Sequence, residues 1–407
     1  MKKAYVAGLV AVLVAGFGLG TWTGLSVHKN SSPALTVSAN SVAEFQLVED
    51  AWTITRDNYV DRNATLPKTL AYGTIAGMIE SLGDTGHSTF LTPQEVQQAD
   101  DFEQGKLQGI GVEVQEKNGN VVIVAPLNGS PAQQAGLVSG DIIAKVNGQT
   151  ITSLTQAVGL ILGQAGTSVT LTIQGPSGAT RDVTLVRAVV KLDSVSWHEL
   201  PGTTIADLRL SSFIKGTTTE LDAALAQIKA RGCTGIILDL RDNPGGLLED
   251  AVSVTSRFVA SGNVLLEKDM QGKITAVPVA GGVTVTDLPV VVLVNQGTAS
   301  AAEIVAGALQ SNGRATLVGE TTFGTGTVLN QFSLPDGSAL LLAVQEWLTP
   351  AGKTIWHVGL TPDEVVSLPK GVTLLVPEEE SGLTLAQVQA SGDQQLLAAM
   401  KLLSPVK

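Results

Sequence analysis

Four strand-like runs that alternate with helical patterns after residue 191 most strongly constrain the fold of this chain. The runs are TTIADLRL, TGIILDL, PVVVLVN and ATLVGE. Between them lie GTTTELDAALAQIKAR, GLLEDAVSVTSRFVASG and SAAEIVAGALQS, whose apolar residues recur at helical spacing. Largely apolar strands between helices indicate a sheet that is covered on both faces. The pattern therefore predicts an α/β core over residues 191–370.

The chain has 407 residues, too many for one ordinary core, and its remaining segments differ in pattern from the α/β part. Apolar residues at helical spacing predict a helical unit over residues 41–104, parts of which are expected to join the core. A C-terminal tail, residues 371–407, is predicted to carry one amphipathic helix from about residue 383 to residue 403. The fold class is thus α/β and multidomain.

The N-terminus reads as a targeting segment. Lys2 and Lys3 precede an uncharged, mainly apolar run over residues 4–27. A run of this length is enough to span a bilayer as a helix, with the basic residues on the cytoplasmic side. We expect residues 1–28 to be a retained anchor of a single-pass cell-membrane protein with an extracytoplasmic catalytic part. The alternative is a cleaved signal, with Val37-Ser38-Ala39 as the cleavage site and a secreted product.

Between these segments the apolar period changes to two over residues 105–190. The string SPAQQAGLVSGDIIAKVNGQTI resembles a PDZ domain in its order of helix, Gly-Asp turn and Asn-Gly turn. PDZ domains bind the C-terminal ends of peptides by adding them as a strand, with the carboxylate on backbone N–H groups. The resemblance implies that the substrate-binding residues are Gly109, Ile110, Gly111 and Val112. The alternative is that these glycines only serve a turn between strands.

Composition excludes several classes of partner and cofactor. Lys and Arg total 25 against 37 for Asp and Glu, a net charge of −12, so we expect no binding to nucleic acid. The single cysteine, Cys233, rules out an intramolecular disulfide. No cluster of histidines and carboxylates has metal-ligand spacing, and GIGVEV is not followed by the helix that a dinucleotide loop needs. The sequence therefore predicts no metal and no cofactor.

Chemistry is indicated at the ends of two strands. PVVVLVNQGTASAAE ends a strand at Asn295 and opens a helix at Ser300, where the helix dipole favours negative charge. An oxyanion formed by attack of Ser300 on a carbonyl could lie beside the N–H of Ala301. The string LDLRDNPGGLL ends another strand in two glycines, whose N–H groups could supply a second donor. The alternatives are an ordinary N-cap serine and a simple turn before a helix.

From Val42 to about Leu368 the chain resembles the C-terminal-processing peptidases, serine proteases that contain a PDZ domain and use a serine/lysine dyad. The strings that carry this resemblance are FLTPQE, the PDZ segment, ILDLRDNPGGLL, VLVNQGTASAAEI, VGETTFGTGTV, LPDGSAL and GLTPDEVV. The resemblance implies a ClpP/crotonase-like α/β core with an inserted PDZ domain. It also implies that Ser300 is the nucleophile and that Gly246 and Ala301 are the oxyanion donors.

One position departs from that family. The lysine of its F-G-K-G string is replaced by Thr325, and a later glutamine by Leu329. Threonine cannot act as the general base that a neutral lysine provides. The string GDTGHSTF resembles that of the tricorn-type peptidases, whose serine works with a histidine, and this implies His87 as the base. The alternative is a structural histidine in a polar turn, and His357 and Lys353 are further stand-ins. Glu346 is a candidate third member of a triad, in which it would orient a histidine.

The sequence therefore predicts a serine endopeptidase that cleaves protein substrates near their C-termini, with the PDZ domain recruiting or gating them. The alternative is an inactive pseudo-protease that binds C-terminal ends as an adaptor. The oligomeric state does not follow from the sequence.

Overall fold

The structure is a computed structural model, and it describes residues 10–11, 41–84, 87–117, 119–127, 129–138, 140–175, 178–281, 286–369, 372 and 374–404. The predicted anchor or signal falls outside the described residues, except for the two-residue strand β1 (Val10–Ala11). In the described part of the chain, no helix is both long enough and apolar enough to cross a membrane.

Two compact units are present, and the smaller one consists of the described parts of residues 23–96 together with residues 331–342. Its helices are α1 (Val42–Asn58) and α2 (Pro67–Glu80), and its strand β2 (Thr89–Leu91) pairs antiparallel with residues 339–341. Helix α2 begins with a proline, whose missing N–H would have no partner at that position. Helix α3 (Pro93–Glu103) follows β2.

The larger unit contains a sheet with the order β1-β4-β5-β6-β8-β9, with β7 paired to β6. Along β8 the side chains alternate between buried and half-buried or exposed, as the period-two pattern predicts for a sheet with one face on a core. A separate two-stranded ladder joins β3 to β10. The elements are β3 (Lys106–Gly109), β4 (Val112–Lys117), β5 (Asn120–Pro126), α4 (Pro131–Gln134), β6 (Ile142–Val146), β7 (Gln149–Thr150), α5 (Leu154–Ile161), β8 (Ser168–Gln174), β9 (Thr180–Val186) and β10 (Ala188–Lys191).

The α/β core of the larger unit is a six-stranded sheet with the order β11-β12-β13-β16-β17-β20. Strand β11 is antiparallel to β12, and the others run parallel. Every residue of β12, β13 and β16 is buried, so the predicted covered sheet and the α/β class are confirmed. The elements are β11 (Val195–Glu199), β12 (Ile205–Leu210), α6 (Thr217–Arg231), β13 (Gly235–Asp239), α7 (Leu248–Thr255), β16 (Val290–Val294), α8 (Ala301–Ser311), β17 (Ala315–Gly319) and β20 (Glu364–Val365).

Helices α6, α7 and α8 bury their apolar side chains on one face of this sheet. Next to it lies a second, mostly antiparallel sheet, in which β14 pairs with both β15 and β19, and β19 also neighbours β18. Its strands are β14 (Asn263–Lys268), β15 (Ile274–Pro278), β18 (Thr327–Ser333) and β19 (Ala339–Leu348).

The C-terminal tail covers the other face of the six-stranded sheet. It forms α9 (Pro377–Glu380), α10 (Leu385–Ala390) and α11 (Gln394–Leu403), and Leu396 and Ala399 are fully buried there. The predicted single helix from residue 383 to residue 403 is wrong. The chain breaks before Asp393, whose side chain caps α11 by accepting a hydrogen bond from the N–H of Leu396 (3.0 Å).

Charged side chains are buried between the sheet and the tail. Arg241 forms ion pairs with Asp239 (2.7 Å) and with Asp393 (2.8 Å), and all three side chains are inaccessible to solvent. Two more carboxyl groups, Asp207 on β12 and Glu380 on α9, are fully buried nearby. These ion pairs connect the tail to the end of β13, which the first residues of the candidate site follow.

Candidate active site

Ser300 lies between strand β16 and helix α8 in a strained backbone conformation. Its φ is +52° and its ψ is −120°, a combination that residues other than glycine rarely adopt. Such a conformation costs on the order of 1–3 kcal/mol and persists only where the surroundings impose it. Ser300 is buried, with 5% of its surface exposed. The contacts around it therefore determine where its hydroxyl lies.

Glu303, on the first turn of α8, is the centre of those contacts. It is fully buried, and its carboxylate accepts hydrogen bonds from the N–H groups of Ser300 (3.0 Å), Gly324 (2.8 Å) and Thr325 (2.9 Å), and from the hydroxyl of Thr322. Burial raises the pKa of Glu303, and the hydrogen bonds oppose that rise. The carboxylate thus joins the nucleophile segment to the segment that carries the threonine.

Thr325 itself contacts the backbone of the candidate nucleophile. Its hydroxyl oxygen accepts a second hydrogen bond from the N–H of Ser300, at 3.1 Å. Only 3% of Thr325 is exposed, and Leu329 on the neighbouring strand β18 is also buried. Thr325, for which the resemblance implies a lysine, is therefore next to Ser300 and presents a hydroxyl group to it.

Phe213 sets the orientation of the glycine turn, the segment Asn243-Pro244-Gly245-Gly246 that follows β13. The N–H of Phe213 donates to the carbonyl of Gly245 (2.8 Å), and the N–H of Leu247 donates to the carbonyl of Phe213 (2.7 Å). In such a parallel bridge the N–H of the middle residue, Gly246, points away from Phe213. Gly246 has φ +134°, and a Cβ atom there would lie 2.0 Å from the Phe213 oxygen. Only glycine fits.

This turn packs directly against Ser300. A Cβ atom on Gly245 would lie 2.6 Å from the Cβ of Ser300 and 2.8 Å from the backbone nitrogen of Ala301. Within the described residues, the N–H groups of Gly246 and Ala301 donate no hydrogen bond to the chain. The structure thus brings together Ser300, Gly246 and Ala301, and among the described residues the N–H groups of the last two have no acceptor.

Asn243 holds the turn in this place. Its side-chain amide donates to the carbonyl of Leu210 (2.7 Å), its side-chain oxygen accepts from the N–H of Gly245 (2.8 Å), and its carbonyl accepts from the N–H of Ala299 (2.9 Å). The residue is completely buried. Sequence reasoning assigned it no function, although an asparagine directly before Pro-Gly-Gly is a recognisable signal for a side chain that hydrogen-bonds within a turn.

A second asparagine connects the two strand ends. The side chain of Asn295 accepts from the N–H of Asp242 (2.9 Å), and it donates to the carboxylate of Asp242 (2.9 Å). Asp242 also has a positive φ, of +55°. The end of β13 and the end of β16 are therefore cross-linked by hydrogen bonds on both sides of the candidate site.

His87 belongs to the smaller unit. It is buried, with 5% of its surface exposed, and its N–H donates to the carbonyl of Asp84 (3.2 Å) in the turn that follows α2. The next residue, Ser88, hydrogen-bonds to the Asp84 carboxylate through both its N–H (3.1 Å) and its hydroxyl (2.6 Å). One aspartate, Asp84, thus contacts both His87 and Ser88.

The other candidate bases lie in the larger unit. The N–H of His357 donates to the carbonyl of Gly324 (2.9 Å), so this residue is next to the threonine segment, and its ring stacks on Trp356. Lys353 is an exposed residue close to a turn, as expected. Glu346 does not orient a histidine in the contacts it makes: it pairs with Lys268 (2.8 Å) and accepts from the Thr354 hydroxyl (2.7 Å).

The predicted peptide-binding loop lies between β3 and β4. Ile110 is fully buried, and its carbonyl accepts from the N–H of Ala132 on α4 (2.9 Å). Gly111 has φ +68°, and a Cβ atom there would lie 2.4 Å from the Cβ of Ser130, so the position requires glycine. Val112 begins β4, and Gly109 ends β3 opposite Ala188. The loop is therefore fixed from both sides.

In the described ranges, no group of three or more histidine, cysteine, aspartate or glutamate residues could hold a metal ion. The described residues do bring a serine at the buried start of a helix close to the N–H groups of Gly246 and Ala301, an arrangement that suits acyl transfer.

Comparison with known proteins places the chain in one family. Residues 204–366 match Peptidase family S41, and residues 122–175 match a PDZ domain. The chain is 36% identical over 329 residues to the carboxy-terminal processing protease CtpA of Bacillus subtilis, covering 80% of this chain and 70% of that protein. It is 35% identical over 362 residues to the carboxyl-terminal-processing protease of Synechocystis, covering 87% and 81%.

A solved structure gives the same result. The photosystem II D1 C-terminal processing protease is 30% identical, with a TM-score of 0.51, covering 81% of this chain and 95% of that one. The chain therefore belongs to peptidase family S41, among the carboxy-terminal processing serine proteases, and it contains a PDZ domain. The predicted resemblance and the enzyme class are both confirmed.

Proposed function

We propose that this protein is a serine endopeptidase that cleaves protein substrates near their C-terminal ends. Ser300 is the nucleophile, the N–H groups of Gly246 and Ala301 bind the oxyanion, and His87 takes the proton of the serine. The observation that carries the proposal is the packing of the glycine turn against Ser300, beside which the N–H groups of Gly246 and Ala301 have no acceptor among the described residues.

The reaction follows from this arrangement. The Oγ of Ser300 attacks a peptide carbonyl, and negative charge develops on the carbonyl oxygen. Donors that are already fixed in place stabilise that charge without reorganising, and one such donor is worth roughly 2.7–4 kcal/mol in known enzymes. The strain at Ser300 and the glycine requirement at Gly245 and Gly246 fit a site that is built before substrate arrives.

The base is proposed from chemistry. Thr325 cannot accept the proton, and a carboxylate with four hydrogen bonds, Glu303, has its acceptor positions occupied. An imidazole is an unprotonated base near neutral pH without the desolvation that lysine needs. The GDTGHS string is the reason for choosing His87, and His357 beside Gly324 is the comparison residue.

The PDZ domain is proposed to recruit or gate the substrate. Strand β4 follows the fixed loop of Gly109, Ile110 and Gly111, and the edge of β4 that does not face β5 is where β1 pairs. An added strand can therefore use this edge, with a terminal carboxylate on the loop. The lysine pair and apolar run at the N-terminus support an extracytoplasmic location on a membrane anchor.

A second function is an adaptor that binds C-terminal ends without cleaving them. It is favoured by one observation, the replacement of the family lysine by Thr325, whose hydroxyl bonds to the backbone of Ser300. A protein that had lost its base would retain the PDZ domain and the fold of the site.

Both functions are tested by incubating the full-length protein, in mild detergent, with casein. The variants are Ser300→Ala, His87→Gln, His357→Gln and Thr325→Lys, each checked for folding by thermal melting. We expect loss of cleavage in the first two and retention in His357→Gln. Loss in Ser300→Ala and His357→Gln alone moves the role of base to His357. An inactive parent that gains cleavage as Thr325→Lys indicates the adaptor.

A further inference from the structure

The N–H of Ser300 is shared between two acceptors, the Oε2 of Glu303 at 3.0 Å and the hydroxyl oxygen of Thr325 at 3.1 Å. Thr325 in turn donates its own N–H to Glu303 Oε2 at 2.9 Å. The three residues therefore form a closed set of hydrogen bonds around the nitrogen that sets the φ angle of the nucleophile.

We propose that Thr325 is a positioning residue, which holds the backbone of Ser300 in its strained conformation from the place where the family carries a lysine. The inference rests on the proposed role of Ser300 and adds a function for the residue that replaces the lysine. The Thr325 hydroxyl contacts backbone only in this role, so it orients the nucleophile without taking part in proton transfer.

The threonine can impose this conformation because its own segment is fixed. The N–H of Phe323 donates to the carbonyl of Thr298 (3.0 Å), next to the nucleophile. On the other side, Gly326 is so close to Trp356 that a Cβ atom on the glycine would lie 2.3 Å from the backbone nitrogen of Trp356. Because this segment is held at both ends, it does not shift when Ser300 moves, and the Thr325 hydroxyl keeps the N–H of Ser300 in place.

A change in the backbone of Ser300 also changes the position of its reacting atom, the Oγ. Rotation about φ of Ser300 moves its Cβ and Oγ relative to the glycine turn that packs against them, and so relative to the N–H of Gly246, one of the proposed oxyanion donors. Loss of one acceptor from a strained residue allows that rotation, because Glu303 alone already serves four donors. A neutral hydrogen bond of this kind corresponds to about a fivefold to tenfold change in rate when it is made in the transition state.

Two isosteric or conservative variants separate this role from a general loss of structure. Thr325→Val keeps the shape and removes the acceptor, and Thr325→Ser keeps the acceptor and removes a methyl group. The probe is a fluorophosphonate, which reacts with an active serine: an Oγ–P bond forms, the P–F bond breaks, fluoride leaves and the serine proton passes to the base. Its rate of labelling does not depend on peptide binding to the PDZ domain.

We expect the valine variant to be labelled about fivefold to tenfold more slowly than the parent, with KM for casein unchanged, and the serine variant to regain most of that loss. Equal labelling of all three full-length proteins would overturn the positioning role. So would a valine variant that loses rate only in proportion to its unfolded fraction.

Hydrogen exchange gives a measurement that does not need activity. Exchange of the Ser300 amide, followed by NMR or in short peptides by mass spectrometry, should be faster in Thr325→Val and restored in Thr325→Ser. If the parent is not labelled at all, the proposed function is wrong, and the exchange comparison still decides whether Thr325 holds Ser300. Unchanged exchange in the valine variant contradicts the inference.

Discussion

Replacement of Glu380 by glutamine should make the stability of the protein less dependent on pH. Glu380 on α9 is fully buried, and burial together with the charge of Glu380 raises the pKa of the buried Asp207 on the central sheet. Asp239 nearby is paired with Arg241, whose guanidinium lowers the pKa of Asp239 against the effect of burial. Two buried carboxyl groups side by side cannot both ionise without a large penalty.

The magnitude follows from the pKa of Glu380. Burial, with a further contribution from Asp239, raises it from 4.5 to about 7. The folded protein therefore binds a proton over a pH range in which the unfolded chain does not. Stability from this group is complete below about pH 4.5 and is lost as the pH rises through about 7. The shift of about 2.5 units corresponds to about 3 kcal/mol, and the raised pKa of Asp207 acts in the same direction.

The assay is urea unfolding of the full-length protein between pH 5 and pH 8. The parent should lose part of its free energy of unfolding over this range, whereas Glu380→Gln, which stays neutral, should lose about 2.5 kcal/mol less between pH 5 and pH 8. Glu378→Gln is the matched control, because Glu378 is exposed on the same helix. His198→Gln is a second control, because His198 lies opposite Asp207 in the strand pairing. A Glu380→Gln protein with the full pH slope of the parent refutes the reasoning.

Three further predictions concern the candidate site. Gly245→Ala places a Cβ atom 2.6 Å from that of Ser300 and should slow fluorophosphonate labelling by about 100-fold. Gly272→Ala is the control, because Gly272 also has a positive φ but has no atoms within 4 Å of an added Cβ. Equal effects of the two changes would contradict the packing argument. Asn243→Ala leaves the carbonyl of Leu210 and the N–H of Gly245 without their side-chain partner, and should destabilise the protein by about 1–3 kcal/mol for each group in urea unfolding. If His87 is the base, kcat/KM for casein should fall tenfold per pH unit once the pH is low enough to protonate the imidazole, and a flat acid limb would argue against it.

The sheet and the meeting of the two strand ends were predictable because both follow from local patterns. Largely apolar strands between helices predict a covered parallel sheet, and parallel strands bring their carboxyl ends to one edge. Ser300 and the Gly245-Gly246 turn each follow such a strand, so their proximity needs no knowledge of distant contacts. The PDZ segment was predictable for a similar reason, since its turns and helix lie within one short stretch.

The contacts of Glu303 were not predictable from local patterns, whereas the break in the C-terminal tail was predictable and was missed. Glu303 reads as an ordinary acidic residue at a helix start, and its partners are about twenty residues further along the chain. The tail was predicted as one helix because its apolar residues keep their spacing across residues 383–403. That prediction overlooked a local signal: Gly392, with φ +85°, ends the first helix, and Asp393 caps the second.

The ion pair between Arg241 and Asp393 has a consequence for the order in which the protein becomes functional. Arg241 directly precedes the segment of Asp242, Asn243 and the two glycines, and its buried charge is balanced in part by a residue near the end of the chain. During synthesis the ribosome releases residue 241 long before residue 393 exists, so the guanidinium lacks one of its partners until the tail arrives. The turn beside Ser300 is therefore completed at a late stage of synthesis.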